Sequence, residues 1–204
     1  MASITSVILD AADPNAADRF YAAAFGLDAQ VSARASTTLP TGFRGFTLSL
    51  VVSQPSAVNG LIDAAVAAGA TTVKPATKSL WGYGGVVRAP DGALWKVATS
   101  AKKDKGPATL EIDQIVLLLG VEDVLAGKKF YVARGFTVGK SFGRKYVDFE
   151  MPSSPVKLAL YGRKALAKDA GVSPEGTGPH GLAIGCDNGP FTDPDGFRWE
   201  KTPG

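Results

Sequence analysis

The chain of 204 residues contains one cysteine and one histidine. A lone thiol, Cys186, has no partner for an internal disulfide, so a disulfide framework is excluded and a reducing, cytoplasmic setting is expected. No apolar run approaches the roughly 18 residues of a membrane span, and the longest, residues 115–119, is the size of a strand. A basic segment followed by an apolar one, the mark of a secretion signal, is missing from the start. Neither sign of charge dominates: 22 Lys and Arg against 19 Asp and Glu leave +3. The basic residues are dispersed and do not form the stripe that tracks phosphates. Nucleic-acid and membrane partners are therefore not expected. Phosphate loops are lacking too, because Gly42, Gly45, Gly82, Gly84 and Gly85 carry neither the G-x-x-x-x-G-K-[ST] nor the G-x-G-x-x-G spacing. ATP and NAD chemistry have no support.

What is present is an alternation of strands and helices. Residues 4–9 read as a buried strand. Asp13-Pro14 then supplies an N-cap and a proline for the first helical position. Ala17, Phe20, Tyr21 and Ala24 follow at the spacing of one buried helical face, and Gly26 stops the helix. A strand is expected over 30–35 and a stronger one over 46–52. A helix over 56–68 carries Val58, Leu61, Ile62 and Ala65, and strands around 71–74, 86–87 and 94–98 complete a first lobe near residue 99. Residues 100–109 are polar, charged and broken by Gly-Pro, which is the composition of a linker.

After the linker the pattern restarts, with a strand over 112–119, Asp123 as helix cap and a stop at Gly135. Asp13 with Phe20-Tyr21 recurs as Asp123 with Phe130-Tyr131. Ala89-Pro90-Asp91-Gly92 leading to Trp95-Lys96 recurs as Asp193-Pro194-Asp195-Gly196 leading to Trp199-Glu200. Two motifs repeating in the same order at similar offsets indicate duplication of one unit. Trp95 and Trp199 alternate with Lys96 and Glu200 along their strands, so the tryptophans are expected to turn into the core.

The capped helix with Phe-Tyr on its inner face and the closing Pro-Asp-Gly hairpin, present twice, resemble the glyoxalase, bleomycin resistance and extradiol dioxygenase superfamily, also called vicinal oxygen chelate. The resemblance implies an α+β fold of tandem βαβββ units in two half-barrel lobes, residues 1–99 and 110–204, joined by 100–109. It also implies a cleft that binds metal and substrate, with His or Gln ligands on the first strand of a unit and Glu on the last. In the first lobe the matching positions fall near Ser6, near Thr47 and at Lys96, and a lysine there repels a cation. In the second lobe His180, seven residues before Asp187, and Glu200 match the ligand positions. Gln114 or Asp113, on the strand over 112–119, is a third candidate. Such a set implies one divalent ion, Fe, Mn, Ni or Zn, with positions open for a chelating substrate. The strand over 156–161 offers no further ligand. Only Asn188-Gly189-Pro190 separates Asp187 from Phe191, so the last unit is truncated.

Other candidates are ligand contacts. Trp81 and Tyr83 sit in the Trp81-Gly82-Tyr83-Gly84-Gly85 cluster, Arg44 and Lys96 would together attract an anion, and Tyr161 ends the strand over 156–161. Cys186 lies in an apolar strand with no neighbouring base and is expected to be a buried, inert thiol. The leading expectation is a glyoxalase or bleomycin-resistance-type protein, monomer or homodimer, that binds a small apolar or aromatic molecule without a complete metal centre. The alternative is a metal-dependent lyase, isomerase or dioxygenase using His180 and Glu200. A third is a scaffold with no cleft.

Overall fold

A computed structural model describes residues 3–201. Its first half runs β1 (Ile4–Ala11), α1 (Pro14–Phe25), β2 (Val31–Ala35), β3 (Thr41–Gly42), β4 (Phe46–Val51), α2 (Pro55–Ala67), β5 (Thr71–Ser79), β6 (Gly82–Arg88) and β7 (Leu94–Thr99). The second half runs β8 (Gln114–Val121), α3 (Val124–Val132), β9 (Thr137–Ser141), β10 (Tyr146–Glu150), β11 (Val156–Gly162), α4 (Arg163–Ala170), β12 (Gly176–Thr177), β13 (Leu182–Cys186), β14 (Phe191–Thr192) and β15 (Arg198–Lys201). The architecture is the expected α+β, with a last unit that passes from β13 to β14 through residues 187–190 without a helix.

The helix ends obey local chemistry. Asp13 accepts from Ala16 N, and Gly26 closes α1 in the left-handed region at φ 65°. Asp123 accepts from Leu125 N and Ala126 N at the start of α3. Helix α2 has no cap of its own, and residues 100–109 supply one. The Asp104 carboxylate accepts from Ser56 N at 2.8 Å, while Gln54 Nε2 donates to the carbonyls of Gly106 and Pro107 at 3.1 and 2.7 Å. This stretch contains no helix or strand and is pinned to the start of α2.

Two large sheets form, each with strands from both sides of that stretch. One has five strands in the order β14-β15-β13-β1-β2, and the other has eight in the order β5-β6-β7-β4-β8-β11-β10-β9. The seams are antiparallel: Leu9 faces Leu182 across β1 and β13, and Leu48 faces Leu117 across β4 and β8. Alternation along each strand sends one set of side chains to the main core and the other to the opposite face, which is called the cleft face below. On β4, Phe46, Leu48 and Leu50 join the core with Ile115, Leu117 and Leu119 of β8.

Helices α1, α2 and α3 cover the core side, where the duplicated motifs meet. Trp95 is fully buried, with its ring centroid 5.5 Å from Tyr21 and 4.8 Å from Phe25. Trp199 repeats the arrangement with Tyr131 and Phe136, each at 5.5 Å. Both tryptophans turn inward as their alternation predicts. The repeated tyrosines tie helix to hairpin: Tyr21 OH donates to Asp91 Oδ2 at 2.8 Å and Tyr131 OH to Asp193 Oδ2 at 2.7 Å. Each large apolar side chain withdrawn from water stabilises the fold by roughly 1.5–3 kcal/mol.

Helix α4 does not figure in the sequence reading. Leu166, Ala167 and Ala170 fall on one side of it and pack with Phe43, Val86 and Leu94 on the cleft face of the eight-stranded sheet.

Candidate functional site

The cleft face of the five-stranded sheet is built by alternation. On β1, Val7, Leu9 and Ala11 enter the core, so Ser6, Ile8 and Asp10 face the cleft. Gly185, Glu200 and Arg34 join them from β13, β15 and β2. Arg34 lies across this face: Nε donates to Asp10 Oδ1 at 2.7 Å and Nη1 to Glu200 Oε1 at 2.9 Å. The small residues on β13, Ala183 and Gly185, leave room for that reach. Side-chain exposure is 7% for Asp10, 32% for Arg34 and 42% for Glu200, so the network begins in the interior and ends at the rim. Beside it a cavity of about 500 Å3 is lined by Asp10, Ser36, Thr38, His180 and Arg198, among others. Arg198 has no side-chain partner among the described residues, which leaves its guanidinium available.

His180 stands outside the strand. Gly181 at φ 64° interrupts extended backbone, and β13 begins only at Leu182. The imidazole lies 2.6 Å by Nδ1 from the Arg44 carbonyl and 2.9 Å by Nε2 from the Asp195 carbonyl. It also stacks on Phe197, with centroids 3.9 Å apart. Two carbonyl oxygens therefore face the two ring nitrogens, and no lone pair is directed at a shared ion. The turn above it is a second buried polar centre. Burial raises the Asp193 carboxyl above the ordinary carboxylate range, against the opposing pull of Tyr131 and two backbone N–H groups.

The level of Glu200 across this sheet reads Glu200, Gly185, Ser6, since Glu200 pairs with Gly185 and Gly185 with Ser6. One carboxylate at that level is bound to a guanidinium, and the neighbouring strands offer a glycine and a serine. Gln114 is on β8 in the other sheet, opposite Val51. The residues implied as metal ligands, His180, Glu200 and Gln114, are thus not brought together. Among the described residues no group of three His, Cys, Asp or Glu side chains is placed to hold a metal ion. The donor set does not fit one.

On the eight-stranded sheet, the level of Lys96 reads Lys96, Ser49, Val116, Lys157 across β7, β4, β8 and β11. Helix α4 lies over this face. Lys96 Nζ meets Asp169 Oδ2 at 2.5 Å, Lys74 Nζ donates to the Asp169 carbonyl at 3.1 Å, and Arg163 Nη2 donates to the Phe43 carbonyl at 3.0 Å. A smaller cavity of about 180 Å3 lies between Lys96 and Asp169 of the helix, and another of about 450 Å3 lies along β8, β10 and β11 near Lys157.

In overall shape the chain matches glyoxalase I from Zea mays, with a TM-score of 0.63 at 15% identity over 98% of this chain and 91% of that one. It also matches a putative dioxygenase from Bacillus subtilis subsp. subtilis str. 168, with a TM-score of 0.57 at 11% identity over 95% of this chain and 71% of that one. The chain has the vicinal oxygen chelate fold. No family model and no curated protein matches its sequence.

Within this fold three of the expected ligand contacts, Trp81, Tyr83 and Lys96, line one cavity on the eight-stranded sheet, whereas Arg44 and Tyr161 lie outside it. Arg44 is 8% exposed and donates to the Asp91 carbonyl, clamping the hairpin turn away from either cleft. Tyr83 lines the small cavity near Lys96, and its hydroxyl donates to Asn59 Oδ1 of α2 at 2.9 Å. Tyr161 lies on β11 edge-on to Tyr146, against the cluster beneath α4. Trp81 is 84% exposed at the β5–β6 turn and lines the small cavity with Lys96. Cys186 is buried, and burial pushes its thiol up, in keeping with an inert residue. Sequence reasoning missed Arg34, Asp10 and Asp169. The signal for the first two was an acidic residue inside the apolar run of β1, which needs a cation once buried.

Proposed function

We propose that this chain binds a small polar molecule on the cleft face of its five-stranded sheet, without a metal ion on Glu200. The observation that carries the reading is the Arg34 bridge, which places a fixed cation between Asp10 and Glu200. A divalent ion at Glu200 would compete with that guanidinium for the carboxylate and would stand beside a fixed positive charge. The fold neighbours named glyoxalase I and putative dioxygenase support a small molecule as the ligand class. The chemistry of this face narrows it. Arg198 offers unused donors for an anionic or hydrogen-bonding group, Ser6 is hydroxylic, and Ile8 provides an apolar contact. The aromatic residues lie elsewhere, so the ligand here is polar. Helix α4 covers the centre of the other cleft face, so among the described residues no counterpart of this Arg34 network forms there.

The test is a thermal-shift screen of mono- and dicarboxylates, phosphate esters and neutral analogues in the presence of EDTA. A ligand at about a hundred times its Kd stabilises by about 2.7 kcal/mol, which for a chain of this size is a rise of about 5–10 °C. The expected result is a saturable rise from an anion in EDTA that Arg198→Ala abolishes. Hits that all require added metal and vanish in Glu200→Gln would establish the metal-dependent lyase, isomerase or dioxygenase instead.

A further inference from the structure

We infer that the cavity between the β5–β6 hairpin and α4 is a second binding site, selective for a single-ring aromatic anion. It lies on the other sheet and stands independently of the site on the five-stranded sheet. Three features of its walls converge on that class.

The floor is flat by necessity. Gly84 faces Ala98 across β6 and β7, and a Cβ there would come within 2.9 Å of the Val97 carbonyl oxygen and 3.0 Å of Ala98 Cβ. At this pair the floor therefore carries nothing larger than the Ala98 methyl, and a planar group can rest on it. The mouth is an exposed indole. Trp95 and Trp199 are 0% and 1% exposed, whereas Trp81 is 84% exposed. Its backbone N–H is held at 3.2 Å by Ser79 Oγ, which fixes the turn that carries it. An aromatic ring stacks favourably on such a face.

The inner end carries net positive charge. Lys96 and Lys74 both bond to Asp169, one to the carboxylate and one to the backbone carbonyl. Only Lys96 meets the carboxylate, so two ammonium groups stand beside one negative charge, and each keeps N–H donors for a further acceptor. A ligand carboxylate satisfies them. The volume sets the size: the cavity holds about 180 Å3, and an apolar cavity of about 150 Å3 accommodates one benzene. One ring with one small anionic substituent fits.

Benzoate is the probe, titrated into the full chain by calorimetry and by tryptophan fluorescence, with cyclohexanecarboxylate and benzyl alcohol as controls for ring and charge. The expected result is saturable benzoate binding with quenching of Trp81 emission. Both controls should bind about ten-fold more weakly, and Trp81→Ala and Lys74→Met should each raise the calorimetric Kd about ten-fold. Both substitutions are at exposed positions, and circular dichroism confirms that the variants fold. No saturable binding, unchanged affinity in either variant, or equal binding of either control would overturn the assignment.

Discussion

Replacing Arg34 by alanine strikes the network on which the functional reading depends, and its two arms differ enough to be separated. Asp10 has 7% side-chain exposure, and Arg34 is its side-chain partner. Removing the cation from a fully buried pair costs about 3–5 kcal/mol, most of it for the charge left behind. Arg34 is itself 32% exposed, so water can enter the space it vacates, which lowers this arm to about 1–3 kcal/mol. Glu200 is 42% exposed, and its arm is a rim ion pair contributing up to about 1 kcal/mol. Arg34→Ala should therefore destabilise by about 1–4 kcal/mol and Glu200→Gln by less than about 1 kcal/mol. A double-mutant cycle should couple Arg34 to Asp10 more strongly than to Glu200. The assay is equilibrium urea unfolding at neutral pH, with an unchanged m-value as evidence that stability alone has moved. Salt should weaken the Glu200 coupling first. Equal losses in Arg34→Ala and Glu200→Gln, or an Arg34→Ala variant within about 0.5 kcal/mol of wild type, would refute the reasoning.

The repeated tyrosines form an internal control. Tyr131 OH donates to Asp193 and also accepts from Trp199 Nε1 at 3.2 Å, whereas Trp95 Nε1 has no hydrogen-bond partner. Tyr131→Phe should cost about 3–5 kcal/mol and Tyr21→Phe about 1.5–3 kcal/mol in the same unfolding assay, and a reversed order would contradict the geometry. The Asp193 carboxyl is raised by burial. A raised folded-state value means that the protonated acid is favoured in the native state. Its contribution is present below the unfolded value, about 3.9, and is lost as pH rises through the folded one. Asp193→Asn, which does not titrate, should therefore gain stability relative to wild type as pH is raised from about 4 to 7, and a trend of the opposite sign would show that ionisation is favoured in the folded protein.

Local signals in the sequence carried far. Asp13 and Asp123 are caps because their carboxylates reach N–H groups two or three residues on, a relation contained within a few residues. Trp95 and Trp199 are core residues because strand alternation opposes them to Lys96 and Glu200. What stayed hidden depends on long-range register. Nothing in β1 or β13 alone states that Ser6 faces Gly185, and with that pairing unknown, the level of Glu200 could not be recognised as lacking a second ligand. His180 was read onto a strand because Leu182 to Cys186 continues it, yet Gly181 at φ 64° detaches it. Helix α4 escaped notice because its apolar residues, Leu166, Ala167 and Ala170, are few and sit among Lys164, Lys168 and Asp169. Its Asp169 neutralises the Lys96 that had looked like half of an anion site with Arg44.

A guanidinium that holds Glu200 in place of a metal ion should leave the protein without bound metal, and metal stoichiometry reads this out. Wild-type protein is dialysed against Ni, Zn, Mn or Fe(II), freed of excess ion and analysed for metal beside Glu200→Ala and His180→Ala. Far less than one equivalent is expected in wild type, with no decrease in either variant. Near-stoichiometric metal in wild type that is lost in both variants would contradict this expectation.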